Sequence, residues 1–164
     1  MLRDRNLIPL SHQHQHALAL CVRIERASPI PQGDVSAWEM EVKHLFESEI
    51  EVHFGAEEQI IFPAAEKFDD LRPLVQELIA EHSLLRAMFA KAKTGALSSN
   101  DVLVLAQQLS THIRKEERQL FERMQQLLSY HELMVIGGRL DTALKNADQS
   151  CMLPSEATRL RSGK

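Results

Sequence analysis

The chain has 164 residues, enough for one domain with a sizeable core, and 44% of them are hydrophobic, as in an ordinary globular protein. Its 19 Lys and Arg against 23 Asp and Glu leave a net charge of −4 with the two signs interspersed, which argues against a nucleic-acid or anionic-membrane partner. Six Gly, six Pro, one Tyr and one Trp, beside abundant Leu, Ala, Glu and Gln, favour helices over sheets and predict an all-α class.

No run of about 18 apolar residues could span a bilayer. The opening MLRDRNLIPLSH also lacks the continuous apolar core of a secretory signal, so a cytoplasmic protein is expected. Cys21 falls on a predicted helix and Cys151 in a polar tail, and both are expected as free thiols.

A first helix is predicted from near Leu10, with Ser11 as a possible N-cap after Pro9, to about Ala27. Its apolar stripe, Leu7, Leu10, Ala17 or Leu18, Cys21 and Ile24, selects His14 for the core and leaves His12 and His16 to the flanks, as surface residues. SPIPQGD, residues 28 to 34, cannot continue a helix. A second helix follows, capped by Asp34 or Ser36, with an inner stripe of Trp38, Val42, Leu45 or Phe46, Ile50, His53, Glu57, Ile60 and Ala64. Pro63 is expected to kink or end it nearby.

A third stripe, Leu71, Val75, Leu78, His82, Leu85, Phe89 and Ala92, keeps a four-three alternation in which His82 replaces an apolar residue. Gly95 supplies the stop, and Ser98, Ser99 or Asn100 the next cap. The fourth helix shows Val102, Leu105, Leu109, His112, Glu116, Leu120 and Leu127 on one face. Beyond it, HELMVIGGRLDTALKN reads as a short fifth helix broken at Gly137 and Gly138. Residues 1–148 are thus expected to form one four-helix bundle with this fifth helix, and residues 149–164 a flexible, disordered tail.

Two segments carry the chemistry. HFGAEEQIIFP, residues 53 to 63, places His53 and Glu57 one turn apart on a core stripe, and THIRKEERQLF, residues 111 to 121, repeats the spacing with His112 and Glu116. An imidazole and a carboxylate at i and i+4 point the same way from a helix, as two ligands of one metal ion must. Four stripes taken separately turn His14, His53, Glu57, His82, His112 and Glu116 inward. Burying two carboxylates and four imidazoles costs several kcal/mol per ionised group unless something positive sits among them, and no Lys or Arg occupies those stripes. Six N and O donors with two carboxylates suit two carboxylate-bridged ions, iron or manganese before zinc. A solvent bridge and an open position would complete such a site, where dioxygen, nitric oxide or peroxide could bind.

These segments resemble the hemerythrin-like, or HHE cation-binding, domain: HFxxEE with a following aromatic and Pro, Glu81-His82 in the third helix, and HxxxEE in the fourth. The resemblance covers about residues 8 to 135. It implies an up-down four-helix bundle around a non-haem di-iron centre, with His14, His53, Glu57, His82, His112 and Glu116 as iron ligands and Glu57 and Glu116 as bridges. Oxygen-carrying hemerythrins have a second third-helix His where this chain has Leu78, and a fourth-helix Asp where it offers Glu117, with Glu116 one position earlier. One iron is then a ligand poorer, which favours redox chemistry, sensing or iron handling over oxygen storage.

Glu58 and Glu117 are expected to touch the ligands from outside or to lie at the surface, and Glu81 at the surface. Phe54, Phe62, Phe89 and Phe121 are expected around the centre as core packing. The leading function is binding of O2, NO or peroxide, or a response to iron or redox state; a sensor of this kind would need a partner protein. The alternative is a di-iron enzyme consuming peroxide or a small oxidant, with His131 or a flanking His as proton donor. A metal-free structural bundle is the third reading.

Overall fold

The computed structural model describes residues 2–145; the tail expected over 149–164, and Cys151 with it, lie outside them. The described residues form five helices joined by short loops and contain no strand. Helix α1 is Ile8–Ala27. After the short 3-10 turn Gln32–Asp34, helix α2 runs without a break over 35–65, and α3 is Arg72–Lys93. Helix α4 runs over 99–127 and α5 is Tyr130–Leu144. Short connections make successive helices antiparallel, and α1 packs on α4 while α2 packs on α3. Among the described residues, no helix is long and apolar enough to cross a membrane.

The helix ends follow from local chemistry. Ser98 accepts from the Asp101 amide while the Asp101 carboxylate accepts from the Ser98 amide, and Ser129 and Glu132 do the same at the start of α5. Gly95, at φ 68°, closes α3 with two amide bonds, Ala96 to the Lys91 carbonyl and Gly95 to that of Ala92. Buried Glu39 on α2 accepts the Leu97 amide at 2.8 Å and ties down the same loop.

Helix α1 begins at Ile8 rather than Leu10, with Pro9 in its first turn, where a missing amide costs nothing. Ser11 caps nothing; its hydroxyl donates to Glu117. Pro63 lies two residues before the end of α2, at Ala65, so the helix ends nearby as expected. Helix α5 is not broken at its glycines. A Cβ at Gly137 would meet Asn6 Oδ1 at 2.3 Å, so this glycine allows the N-terminal segment to lie against α5, and at Gly138 nothing lies within 4 Å.

Helices α2 and α4 contain π turns, at Phe46–Ile50, Glu57–Ile61 and Glu116–Phe121. The last two begin at Glu57 and Glu116. A π turn takes up one extra residue. Nine residues of plain α-helix step about 900°, which would put Phe62 opposite His53; with the extra residue absorbed, Phe62 is buried beside the His53 face, as Phe121 is beside that of His112. The buried stripe of α4 shifts accordingly, through Phe121 and Met124 rather than on to Leu127, which is only partly buried.

The apolar interior falls into two clusters. One gathers Cys21, Ile24, Trp38, Phe46, Phe89 and Leu105 with their neighbours. The other gathers Leu7, Leu10, Phe62, Leu78, Phe121 and Met124 with the inner face of α5. Between them lies a belt of polar side chains. Cys21 is a free thiol sealed in the first cluster, where burial pushes it up to about 12 and leaves it unreactive.

Candidate metal centre

The belt consists of His14 from α1, His53 and Glu57 from α2, His82 from α3, and His112 and Glu116 from α4, none more than 2% exposed. All six residues singled out in the sequence meet here. Their donor atoms fall into two groups, His14, His53, Glu57 and Glu116, and Glu57, His82, His112 and Glu116, with each group's atoms within 4.8 Å of one another. Both glutamates belong to both groups.

The carboxylates lie across the gap. Glu57 turns Oε1 to His53 Nε2 at 3.2 Å and to His14 at 3.8 Å, and Oε2 to His82 Nε2 at 3.4 Å. Glu116 turns Oε2 to His14 Nε2 at 3.2 Å, and Oε1 to His112 Nε2 at 3.2 Å and His82 at 3.9 Å. None of these four carboxylate oxygens completes a hydrogen bond among the described residues, although all are buried. Such atoms call for a positive partner.

Each imidazole is held from behind. His14 Nδ1 donates to Glu117 at 2.7 Å, His82 Nδ1 to Glu58 at 2.8 Å, His112 Nδ1 to Glu81 at 2.8 Å, and His53 Nδ1 to the Gln13 amide oxygen at 2.8 Å. An acceptor at Nδ1 keeps the ring proton there and turns the Nε2 lone pair inward. Yet His14 and His53 bring Nε2 to Nε2 at 2.9 Å, and His82 and His112 do so at 3.1 Å. Lone pairs so close, flanked by carboxylates, require a cation or a proton between them.

Without a metal, protons take that role. Burial opposes charge on His14, and Glu116 and Glu117 outweigh it, raising the group to about 9. Burial likewise opposes His112, and Glu116 and Glu81 carry it to about 10. Burial works against the anion of Glu57 too, but His53 and His82 hold its carboxyl well below the ordinary range. For Glu116, burial and the Glu57 charge are outweighed by His112 and His14, and its carboxyl is lowered.

The outer carboxylates are themselves tied down. Arg3 reaches Glu117 at 2.6 Å, Arg86 grips both oxygens of Glu58 at 2.6 and 3.2 Å, and Lys115 pairs with Glu81. Glu58 and Glu117 therefore do touch the ligands from outside. Glu81 is a correction: it is no idle surface group but the partner of His112. Adjacent residues on α3 do diverge, so His82 faces the belt while Glu81 reaches sideways to α4.

Gln13, Arg3, Arg86 and Lys115 escaped the sequence reading, because their partners lie on other helices and no spacing within one helix marks them. His12 is exposed; His16 is half-buried and donates Nδ1 to Glu49, a carboxylate only 1% exposed. Phe54 stacks on His82 with ring centres 3.8 Å apart, Phe62 lies 5.3 Å from the same ring, and Phe121 stacks on His14 at 5.7 Å. Phe89 instead stacks on Phe46 at 4.5 Å within the first apolar cluster. His131 sits exposed on α5, outside both donor groups.

The sequence model of the hemerythrin HHE cation binding domain matches residues 9–124, and the chain belongs to that family. Comparisons with curated proteins and with solved structures found no match. The family and the buried His and Glu groups together define a metal-binding, hemerythrin-like protein.

Proposed function

We propose that the protein is a non-haem di-iron protein whose centre binds O2, NO or peroxide, or responds to iron and redox state. His14 and His53 would hold one ion, His82 and His112 the other, and Glu57 and Glu116 would bridge them. The observation that carries this reading is the pair of donor groups sharing two carboxylates, each of which turns a different oxygen to each histidine pair. Two ions, one beside each histidine pair, would give all four buried carboxylate oxygens a positive partner.

The donor set favours iron. Imidazole and carboxylate without thiolate suit iron or manganese more than a closed structural zinc site. Two nitrogens and two carboxylate oxygens give each ion four protein donors, short of an octahedral set. Leu78, fully buried one turn before His82 in an apolar cluster, adds no donor. The remaining positions are where a small exogenous ligand would bind, and iron would supply the redox chemistry there. On this reading the protein acts in the cytoplasm on a small ligand, with any signal passed to a protein partner, and its interspersed charges offer no basic field to nucleic acid.

Metal analysis of anaerobically purified protein, with absorption spectra before and after air, tests this. The expected result is about two irons per chain, a charge-transfer band after exposure to air, and loss of both in a His53→Leu, Glu57→Met double variant, as removal of shared ligands requires. One zinc per chain, or no metal, would overturn it.

A further inference from the structure

Three of the four belt histidines share one arrangement. Behind each of His14, His82 and His112 stands a carboxylate, and behind that carboxylate a cation, Arg3, Arg86 or Lys115. His53 departs from it, since its Nδ1 partner is the neutral amide of Gln13. A carboxylate behind a ligating imidazole makes the ring a stronger donor and fixes its orientation; a neutral amide does so less.

Gln13 also differs in where it lies. It is half-buried and forms part of the wall of a cleft of about 530 Å³ between α1, α2 and the end of α5. Around it, beside the cations Arg5 and Lys145, the cleft presents His12, Asp141 and the mutually bonded His16 and Glu49, N and O donors of the kinds that take ferrous iron. They do not converge into a group like those of the belt, so they would hand an ion on rather than keep it. The Gln13 side chain lines this cleft and also reaches the His53 ring, at 2.8 Å.

We infer that the two metal positions exchange unequally: ferrous iron passes through the α1–α2–α5 cleft, and the position of His14 and His53, with Gln13 as its movable wall, empties first. Gln13 is a positioning residue that acts through His53. This rests on the two-ion reading above and assigns to one half of the centre a separate role, that of the exchangeable ion.

The test is release of iron from anaerobic, ferrous-loaded full-length protein to an excess of a coloured ferrous chelator, followed in time. Wild type should release one ion fast and one slowly. Gln13→Glu, nearly isosteric, should slow the fast phase by about 10–100-fold, the effect usual for a partner behind a metal-bound imidazole. Glu81→Gln should instead speed the slow phase, which keeps the inference testable if the first variant does not fold. Replacing both His12 and His16 by Ala should slow loading several-fold with unchanged final iron content. A single rate for both ions in wild type, or an unchanged fast phase in Gln13→Glu, overturns the inference. Failure to load two ions at all overturns the di-iron reading instead.

Discussion

At the scale of the residue, the centre is a competition between protons and metal for the same lone pairs. His14 and His112, at about 9 and 10, are protonated at neutral pH when no metal is bound. Metal must displace those protons. Uptake of ferrous iron at pH 7 in dilute buffer should therefore release about two protons per chain to an indicator dye, and progressively fewer as the pH rises through 9 and 10. No release at pH 7 would contradict the assigned charge states. The same shifts act on the metal-free fold. Both histidines lie above their ordinary 6.5, so their contribution to stability is full below that pH and is lost as pH rises through 9 and 10. Glu117 runs the other way: burial is outweighed by His14, Ser11 and Arg3, which hold it at about 2. Its contribution is present above its ordinary 4.5 and fades as pH falls to about 2.

At the scale of the element, much of the architecture was legible because apolar periodicity is a property of one helix at a time. The expected stripe of α3, from Val75 through His82 to Ala92, is the buried face observed. Legibility stopped at Glu57 and Glu116, where the π turns begin, since a count at 3.6 residues per turn cannot foresee an absorbed residue; hence the misplaced weight on Leu127 over Met124. It stopped also at Glu81, whose role depends on α4 lying alongside α3. The glycine pair in α5 was misread for the same reason, as a break in one helix rather than a contact between two segments. That contact separates the two positions experimentally. Gly137→Ala should destabilise the protein by pushing Asn6 away, whereas Gly138→Ala, with open space around it, should stabilise α5 by up to about 1 kcal/mol. Paired thermal melts decide it, and equal shifts would show that the N-terminal segment does not press on α5.

At the scale of the whole molecule, metal and fold are linked. An ion that binds only the folded chain stabilises it by about 2.7 kcal/mol at a hundred times its dissociation constant. Chelation should accordingly lower the melting temperature, and iron should restore it. An unchanged melting curve would mean that the belt is satisfied without a cation. The belt also separates two apolar interiors, one around Trp38 and Phe46, the other around Met124 and α5. All four long helices thread both, so each helix is a rod clamped in two places with a joint at mid-length. Metal held in the belt would brace the rods against one another, and protons in its place would leave them freer to bend. A change in the chemistry at the middle would thereby act as leverage on both ends of the bundle.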